Sequence, residues 1–360
     1  MHTRMYGSFV SEKISSIRWL QTADYSSADT FVTGAWGSAE NFVKSWKLVK
    51  NCYSEDEGEY VPKCTDKFRF RSDINNIEFV DSTSLAVRSN FSVEGFVSML
   101  NVRNPSDEAL LSEKVRTGTI HKFSSGGKAA CTSLSVFDKS IASVGEDGTL
   151  NILNSGTLDT IKAFKGVDSC SLMAVSYVNH NEVITGNRMG VVRLFDIRSD
   201  KSPETQFLIS CVDDKKSNSV TCISHHPTQN HIIVGSEEGS LTVWDLRQPS
   251  FPASYLSAHK SAITEVAFHK TQPTKLFTAS EDGELWQWNQ DALGSLPQGP
   301  QAMETESTNP WLNGERAKSK INVTALITGI RKAINSFDSL GLNVVCGCDN
   351  EAIYFIENMF

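Results

Sequence analysis

The sequence predicts an all-β protein with the architecture of a seven-bladed β-propeller. Three observations carry this prediction: a hairpin pattern occurs seven times, an apolar strand pattern precedes each copy, and the copies fill the chain. Repeats of roughly 40 to 45 residues, each with four strands, are typical of propeller blades. We therefore expect residues 1–360 to form a single seven-bladed propeller domain, with an inserted loop at about residues 291–320 between blades six and seven.

The hairpin pattern is clearest in two stretches that lie 44 residues apart, SEEGSLTVW at 236–244 and SEDGELWQW at 280–288. Every copy ends in an apolar or aromatic residue, namely Trp46, Leu100, Leu153, Phe195, Trp244, Trp288 and Phe355. Five residues earlier stands a residue type that tolerates positive φ in a tight turn, namely Asn41, Gly95, Gly148, Gly190, Gly239, Gly283 and Asn350. Each copy is therefore predicted to be a β-hairpin.

A second pattern, apolar at i and i+3, precedes each hairpin and predicts the innermost strand of each blade. Its copies are Ile14/Ile17, Ile74/Ile77, Cys131/Leu134, Leu172/Val175, Val220/Ile223, Ile263/Val266 and Val323/Leu326. Because the last copy is assigned to blade seven, residues 329–341 become an extension of that blade. The extension is predicted to be either a short helix packed on the propeller or a docking site for a partner, since it is apolar at Ile330, Ile334, Phe337 and Leu340.

Closure of the ring follows from the position of the last hairpin. Phe355 falls in the third strand of blade seven, and the five residues after it are too few for a fourth strand. Residues 6–10 precede the first innermost strand and have no other place in the repeat, so they are predicted to supply the missing strand. An uncovered edge would invite aggregation.

Three stretches depart from the compact repeat and are predicted to be loops: residues 51–60, 103–128 and 291–320. The fourth strand of blade six must lie within the last of these. Trp311 and Leu312 are its predicted residues, because they are the apolar pair in a stretch rich in Gly, Pro, Gln and Ser.

Composition limits the class of protein. Hydrophobic residues make up 39% and charged residues 21%, as in soluble globular domains, and no apolar run is long enough for a membrane helix or a signal peptide. Eight scattered cysteines do not form a disulfide framework. The net charge of −8 without a basic stripe disfavours direct binding of nucleic acid. We expect neither membrane insertion nor nucleic-acid binding.

Motifs for chemistry are weak throughout the chain. Residues 124–128 (SSGGK) approach a phosphate loop but lack its first glycine and its final hydroxyl residue. The histidines at 225, 226 and 231 lack further ligands at metal-binding spacing, and Cys346 with Cys348 is interpreted as a buried pair. The sequence therefore predicts no catalytic residue, no cofactor and no metal.

Blade six resembles a WD40 repeat. His259, the stretch from Ser280 to Gly283 and Trp288 occupy the positions of that family's pattern, and Trp244 with Asp245 supplies its dipeptide. The resemblance implies a buried hydrogen-bonded tetrad formed by His259, Ser280, Asp282 and Trp288. Because no other blade has all four residue types, the resemblance implies that the other blades rely more on packing.

The divergent first and last blades resemble the small WD40-repeat nucleoporins of the Y-shaped complex of the nuclear pore. The matching residues are TGAW at 33–36, EN at 40–41, VGEDG at 144–148 and VCGCDNEAIY at 345–354. The resemblance implies a non-catalytic scaffold subunit of the outer ring, a monomer within a hetero-oligomer. It also implies an α-helical solenoid nucleoporin of the short arm as partner, a role in transport of protein and mRNA, and a location at the nuclear envelope, with the kinetochore as a mitotic location. It names no partner-binding residue.

Two alternatives to a nuclear pore scaffold remain open. The stretches 244–247 (WDLR) and 195–198 (FDIR) resemble the WDxR feature of substrate receptors of cullin-type ubiquitin ligases. The other alternative is a propeller enzyme that uses carboxylates of the central channel.

Overall fold

The computed structural model describes residues 3–20, 29–52, 58–70, 72–91, 94–102, 111–199, 205–208, 218–290 and 309–358. Within them, 28 strands form seven four-stranded antiparallel sheets. The predicted seven-bladed all-β propeller is confirmed. None of the helices in the described part of the chain is long and apolar enough to cross a membrane.

Each of the first six blades uses four successive strands, ordered from the channel outwards. Blade one contains β2 (Lys13–Trp19), β3 (Thr30–Trp36), β4 (Asn41–Cys52) and β5 (Gly58–Phe70). Blade two contains β6 (Asp73–Asp81), β7 (Ser84–Phe91), β8 (Glu94–Val102) and β9 (Leu111–Arg116). Blade three contains β10 (Cys131–Phe137), β11 (Ser140–Gly145), β12 (Leu150–Asn154) and β13 (Thr160–Phe164).

The second half of the ring repeats this order. Blade four contains β14 (Leu172–Asn179), β15 (Glu182–Asn187), β16 (Val191–Asp196) and β17 (Thr205–Leu208). Blade five contains β18 (Val220–His225), β19 (His231–Ser236), β20 (Ser240–Asp245) and β21 (Ser254–Ser257). Blade six contains β22 (Ile263–Phe268), β23 (Lys275–Ser280), β24 (Leu285–Gln290) and β25 (Ile321–Ile327). Blade seven contains β26 (Ile334–Leu340), β27 (Asn343–Cys348), β28 (Ala352–Glu357) and, on its outer edge, β1 (Arg4–Phe9).

A bulge in every innermost strand explains the apolar spacing of three. In β2 the register with β3 shifts between Ile14 and Ser16, and the same shift occurs at the corresponding place in all seven blades. The extra residue moves the alternation by one position, so Ile14 and Ile17 both become fully buried. An i, i+3 pattern in this fold therefore marks a bulged strand.

The predicted hairpins lie between the second and third strands of the blades, and the apolar column falls in the third strands. Four glycines of the turn column have positive φ: Gly148 at 67°, Gly190 at 81°, Gly239 at 83° and Gly283 at 81°. A Cβ added at Gly283 would collide with the carbonyl oxygen of Ile330. The turn conformation and the close approach of the next blade both require glycine there.

The amino-terminal strand closes the ring as predicted. β1 pairs antiparallel with β28 over six residue pairs, from Arg4 with Glu357 to Phe9 with Ala352. The Tyr6 ring stacks on Phe355 at a centroid distance of 6.1 Å, and Tyr60 of blade one packs edge-on against Phe355 at 5.1 Å. The closing strand is thus held by backbone pairing and by an aromatic cluster shared with blade one.

The assignments around the insertion were wrong. Val323 lies in β25, the fourth strand of blade six, and Trp311 lies in a 3₁₀ turn, Pro310–Leu312. Residues 329–341 are neither a helix nor a separate extension, because they contain β26, the innermost strand of blade seven. The insertion also contains the short helix α1 (Gly314–Lys320), while its residues 291–308 lie outside the described part of the chain.

Two other predicted loops contain strand residues. β4 runs to Cys52 and β5 begins at Gly58, so the described residues of the predicted loop at 51–60 belong to strands, while residues 53–57 are not described. The predicted loop at 103–128 contains β9, the fourth strand of blade two. Outer strands are exposed and can therefore be acidic and polar, so their composition resembles that of loops and gave no sign of strand pairing.

Candidate functional site: the blade networks, the seams and the central channel

The hydrogen-bonded network of blade six includes three of the four implied tetrad residues. His259 lies with Nδ1 3.2 Å from a carboxylate oxygen of Asp282 and with Nε2 2.8 Å from the hydroxyl of Thr278. The indole N–H of Trp288 donates to the same hydroxyl at 3.0 Å. The hydroxyl of Ser280 has other partners: it donates to the carbonyl of Ser261 at 3.2 Å and accepts from the backbone N–H of Asp282 at 3.1 Å. Thr278 sits two residues earlier on β23, on the same face of the strand.

A related network in blade three was missed by sequence reasoning. His121 contacts Asp147 at 2.9 Å and the hydroxyl of Ser143 at 2.8 Å, and Ser143 contacts the thiol of Cys131 at 3.2 Å. Leu153 stands where blade six has tryptophan. The histidine and the aspartate are 26 positions apart in blade three and 23 in blade six, so the longer loop hid the match.

The pKa values of His121 and His259 are shifted in opposite directions. Burial alone lowers the pKa of His121, but its bonds with Asp147 and Cys131 outweigh burial and raise the pKa to about 9. For His259, burial dominates and the pKa is lowered, although Asp282 opposes the shift. His121 therefore carries a proton in the folded chain at neutral pH, and His259 does not.

The carboxylates beside His259 are used by the blade. His259, Asp282 and Glu284 have potential ligand atoms within 4.8 Å of one another. Asp282 accepts a hydrogen bond from the backbone N–H of Lys260 at 3.0 Å, and Glu284 accepts from the indole of Trp286 at 2.7 Å. This arrangement is a hydrogen-bonded turn rather than a metal-ligand set.

The histidines of blade five are packed as aromatic groups. The rings of His226 and His231 lie 4.7 Å apart, and both contact Phe268. Nδ1 of His226 accepts from the N–H groups of Thr228 and Gln229. Burial lowers the pKa of His226 to about 4 and that of His231 to about 3, with the neighbouring histidines adding to the shift.

The other residues that the sequence singled out are engaged in contacts of the fold. Cys346 and Cys348 are fully buried, and burial raises the pKa of the Cys346 thiol well above its ordinary value. Residues 124–128 lie in a turn closed by a bridge between Lys122 and Lys128. In the two WDxR-like stretches, Arg198 binds Asp196 at 2.8 Å and Arg247 binds Asp245 at 2.7 Å, so each arginine pairs within its own turn.

Side chains of the innermost strands link one blade to the next. The residue within each bulge is polar in six blades, and four of these donate to the carbonyl of the following blade. These bonds are Ser15 to Ile74 at 2.5 Å, Thr132 to Leu172 at 2.5 Å, Thr264 to Ile334 at 2.6 Å and Asn335 to Ile14 at 2.8 Å. The repeat thus includes an inter-blade bond that the hairpin pattern does not reveal.

The seam between blades seven and one is bonded by several further groups. The backbone N–H of Trp19 donates to a carboxylate oxygen of Asp338 at 2.9 Å, and its indole donates to the Asp338 carbonyl at 3.1 Å. The N–H of Ile17 donates to the hydroxyl of Ser336 at 3.2 Å. The closure of the ring is therefore stabilised by hydrogen bonds between blades seven and one along the channel, in addition to the pairing of β1 with β28 at the outer edge.

A central cavity of about 470 Å³ is lined by the seven innermost strands, and the side chain of Arg18 forms part of its wall. The guanidinium lies 2.6 Å from Glu78 of blade two and 2.7 Å from Glu265 of blade six. It also donates to the hydroxyl of Ser336 at 2.8 Å and to the carbonyl of Phe337 at 3.2 Å, both on blade seven. One side chain of blade one thus contacts three other blades.

The charged groups around Arg18 shift one another's pKa values. Burial lowers the pKa of Arg18, but the charges of Glu265 and Glu78 outweigh it and hold the pKa above its usual value. Burial raises the pKa of Glu265, while Arg18 and the backbone N–H of Phe337 oppose that shift. The channel carboxylates are therefore engaged in holding blades together, which is a structural task.

Comparison with known proteins gives matches over the whole chain. Residues 107–356 match the family model of the nucleolar protein 10-like N-terminal domain. The chain is 31% identical to nucleoporin Nup43 of Homo sapiens over 388 residues and 30% identical to that of Mus musculus over 387, covering 99% of each chain. It is 29% identical over 159 residues to nuclear pore complex protein nup43 of Dictyostelium discoideum, covering 43% of this chain and 37% of that one.

Proposed function

Because the chain belongs to the Nup43 family of nucleoporins and its propeller to the nucleolar protein 10-like N-terminal domain family, we propose that it is a non-catalytic scaffold protein of the nuclear pore. The observation that carries the proposal is the match to two mammalian nucleoporins over 99% of each chain. A match of that extent includes the divergent blades as well as the common WD40 core, so it exceeds a shared fold.

The finer proposal is a subunit of the Y complex in the outer ring, bound to an α-helical solenoid nucleoporin of the short arm. There it would support transport of protein and mRNA as a monomer within a hetero-oligomer. The physical support is rigidity: seven blades tied by inter-blade bonds present loops in fixed positions, as a scaffold requires. Residues 1–360 are proposed to act as one domain.

The surface offers contact residues for such a partner. Phe251, in the loop between the last two strands of blade five, is 80% exposed, and Ile161 on the outer strand of blade three is 61% exposed. Single exposed apolar residues are ordinary on soluble proteins, so these are starting points for mapping an interface.

The test is affinity purification of the tagged chain from nuclear-envelope extract at low and high salt. We expect solenoid nucleoporins of the Y complex to remain bound at near-equal amounts in both. Recovery of a cullin adaptor without nucleoporins, with loss of that adaptor in Arg247→Ala, would replace the proposal by the ligase-receptor alternative. Arg69→Ala, which removes an exposed arginine outside both WDxR-like stretches, is the control. Imaging of the same tagged chain through mitosis tests the kinetochore location.

A further inference from the structure

The hairpin turn of blade four differs from those of the other blades in charge. The residue before the glycine or asparagine of each hairpin is acidic in six blades, namely Glu40, Glu94, Asp147, Glu238, Asp282 and Asp349. Blade four has Met189 at this position and Arg188 before it, where blade six has Asp282 and Glu281. Both Arg188 and Met189 are exposed, Met189 by 55%. This turn is therefore cationic and apolar where that of blade six is anionic.

The fold does not depend on these two side chains to close the turn. The side-chain oxygen of Asn187 accepts hydrogen bonds from the backbone N–H groups of Met189 at 2.9 Å and Val191 at 2.8 Å. In blade six the carboxylate of Asp282 has this task and accepts from the N–H of Glu284 at 3.0 Å. Because Asn187 closes the turn of blade four, the side chain of Met189 is left at the surface without that role.

Hydrogen bonds join this turn to the neighbouring loops on the same rim of the propeller. They link the turn of blade four to the loop before β14, that loop to the turn of blade three, and the turn of blade three to the loop before β10. The bonded pairs are Arg188 N–H with the Ser171 carbonyl at 3.0 Å, the Ser171 hydroxyl with the Glu146 carbonyl at 3.4 Å, and Glu146 N–H with the Ala130 carbonyl at 3.0 Å. The two turns and two loops therefore form one continuous part of the rim.

These loops carry three further exposed side chains: Lys122 and Phe123 before β10, and Lys165 before β14. Phe123 is 41% exposed, although its backbone N–H and carbonyl are both bonded within a tight turn. We refer to Lys122, Phe123, Lys165, Arg188 and Met189 as the blade three–four surface. Single exposed apolar residues are ordinary on soluble proteins, but here two of them lie among three cations.

The carboxylates of these loops and turns do not balance the three cations. Asp147 lies 2.9 Å from His121, whose pKa of about 9 keeps it protonated at neutral pH, and Asp168 binds Arg193. Glu146 is the remaining carboxylate of these loops and turns. None of the three cations forms a salt bridge within the described part of the chain. The surface therefore has a net positive charge on a chain whose formal net charge is −8.

We propose that the blade three–four surface binds an acidic segment of another protein that carries an apolar side chain among its carboxylates. Lysine and arginine pair with carboxylates, and charge complementarity orients a partner before contact. Phe123 and Met189 offer apolar area to the segment, and methionine adapts its shape to its neighbour. A long polyanion such as RNA is disfavoured because it would also meet the acidic turns of blades five and six, whereas a short acidic segment meets only this surface.

The test measures the fluorescence anisotropy of a short labelled peptide of glutamate, aspartate and leucine, titrated with the full chain. We expect saturable binding that weakens as ionic strength rises, because salt screens the attraction between exposed charges. Arg188→Glu with Met189→Asp gives blade four the turn residues of blade six, so this double variant should keep its thermal midpoint and bind the peptide at least about tenfold more weakly. Lys318→Glu, at an exposed lysine of α1 outside the surface, is the control and should bind as the unchanged chain does.

Further probes identify the occupant. A peptide with serine in place of leucine should bind at least about tenfold more weakly, because it loses the apolar contact with Phe123 and Met189. Equal binding of the two peptides would overturn the proposal, as would a single-stranded RNA that binds as tightly as the leucine peptide and is lost in the same double variant. Self-association in sedimentation velocity that the double variant abolishes would assign the surface to a second copy of the chain instead.

Absence of saturable peptide binding by the folded, unchanged chain would also reject the proposal. The nuclear pore assignment is tested by the proteins that co-purify with the chain, so either conclusion can fail without the other.

Discussion

Arg18 in blade one lies 2.7 Å from Glu265 in blade six, so an ion pair spans blade seven along the channel wall. The same guanidinium binds Glu78 in blade two at 2.6 Å. Neighbouring blades of a propeller are joined by apolar packing, as in the cluster shared by Ile14, Trp19 and Phe355. Arg18 adds a contact between blades that do not touch through their cores.

Arg18→Met should lower the free energy of unfolding by about 3 kcal/mol, because it leaves two partly buried carboxylates close together without their cation. Urea unfolding monitored by tryptophan fluorescence measures the loss. Arg198→Gln, which removes a fully exposed pair with Asp196, should leave the free energy of unfolding nearly unchanged. Equal effects of the two changes would contradict the role assigned to Arg18.

His121 should make stability fall on the alkaline side. Its pKa in the folded chain is about 9 and its ordinary value is 6.5, so its contribution is complete below pH 6.5 and is lost as pH rises towards 9. The loss is on the order of 3 kcal/mol. Unfolding midpoints at pH 6, 7.5 and 9 on the unchanged chain and on His121→Gln measure the difference; His259→Gln, whose histidine has a lowered pKa, should keep the alkaline loss.

Deletion of residues 1–11 should destabilise the ring by more than the small number of residues removed would suggest. The deletion removes six residue pairs with β28 and the contact of Tyr6 with Phe355, and it exposes an edge that can pair with another chain. We expect a lower thermal midpoint and concentration-dependent association in sedimentation velocity. Phe9→Ser, at a residue that is 71% exposed, should leave both measurements unchanged. A monomeric deletion variant of full stability would disprove closure by β1.

Gly347→Ala should weaken the seam between blades seven and one. A Cβ at Gly347 would overlap the side chain of Ile14, and the fully buried Ile14 has no room to move. Overpacking of this kind lowers stability by about 1 to 3 kcal/mol. Gly118→Ala, where nothing lies within 4 Å of the added atom, is the matched control and should be nearly neutral by chemical denaturation. Similar losses at both positions would show that the seam is not tightly packed.

The repeating parts of the fold could be predicted from sequence because each has a local cause. A turn residue such as Gly239 stands five residues before the apolar residue that ends each hairpin, and the segment that contains Tyr6 had no other place in the repeat. The innermost strand of blade seven was missed because Ile334, Phe337 and Leu340 have the spacing of a helix. The spacing of Ile334 and Phe337 comes from the bulge at Asn335, which only the paired strand reveals.

The contacts between blades were largely beyond sequence reasoning. Arg18 and Glu265 are 247 positions apart, and nothing in either neighbourhood indicates the other. Ser280 was placed in the tetrad because the resemblance aligns it there, whereas the register of β23 and β24 brings the hydroxyl of Thr278 to Trp288. Long-range pairing and register are properties of the closed ring.

The pairing of Arg4 with Glu357 brings the two described ends of the chain side by side on the rim of blade seven. A short flexible linker could therefore join them without disturbing a blade. New termini placed in an exposed loop between two other blades would then give a circular permutant in which blade seven is continuous. Such a permutant would keep all seven blades and change only the order in which their strands are linked along the chain.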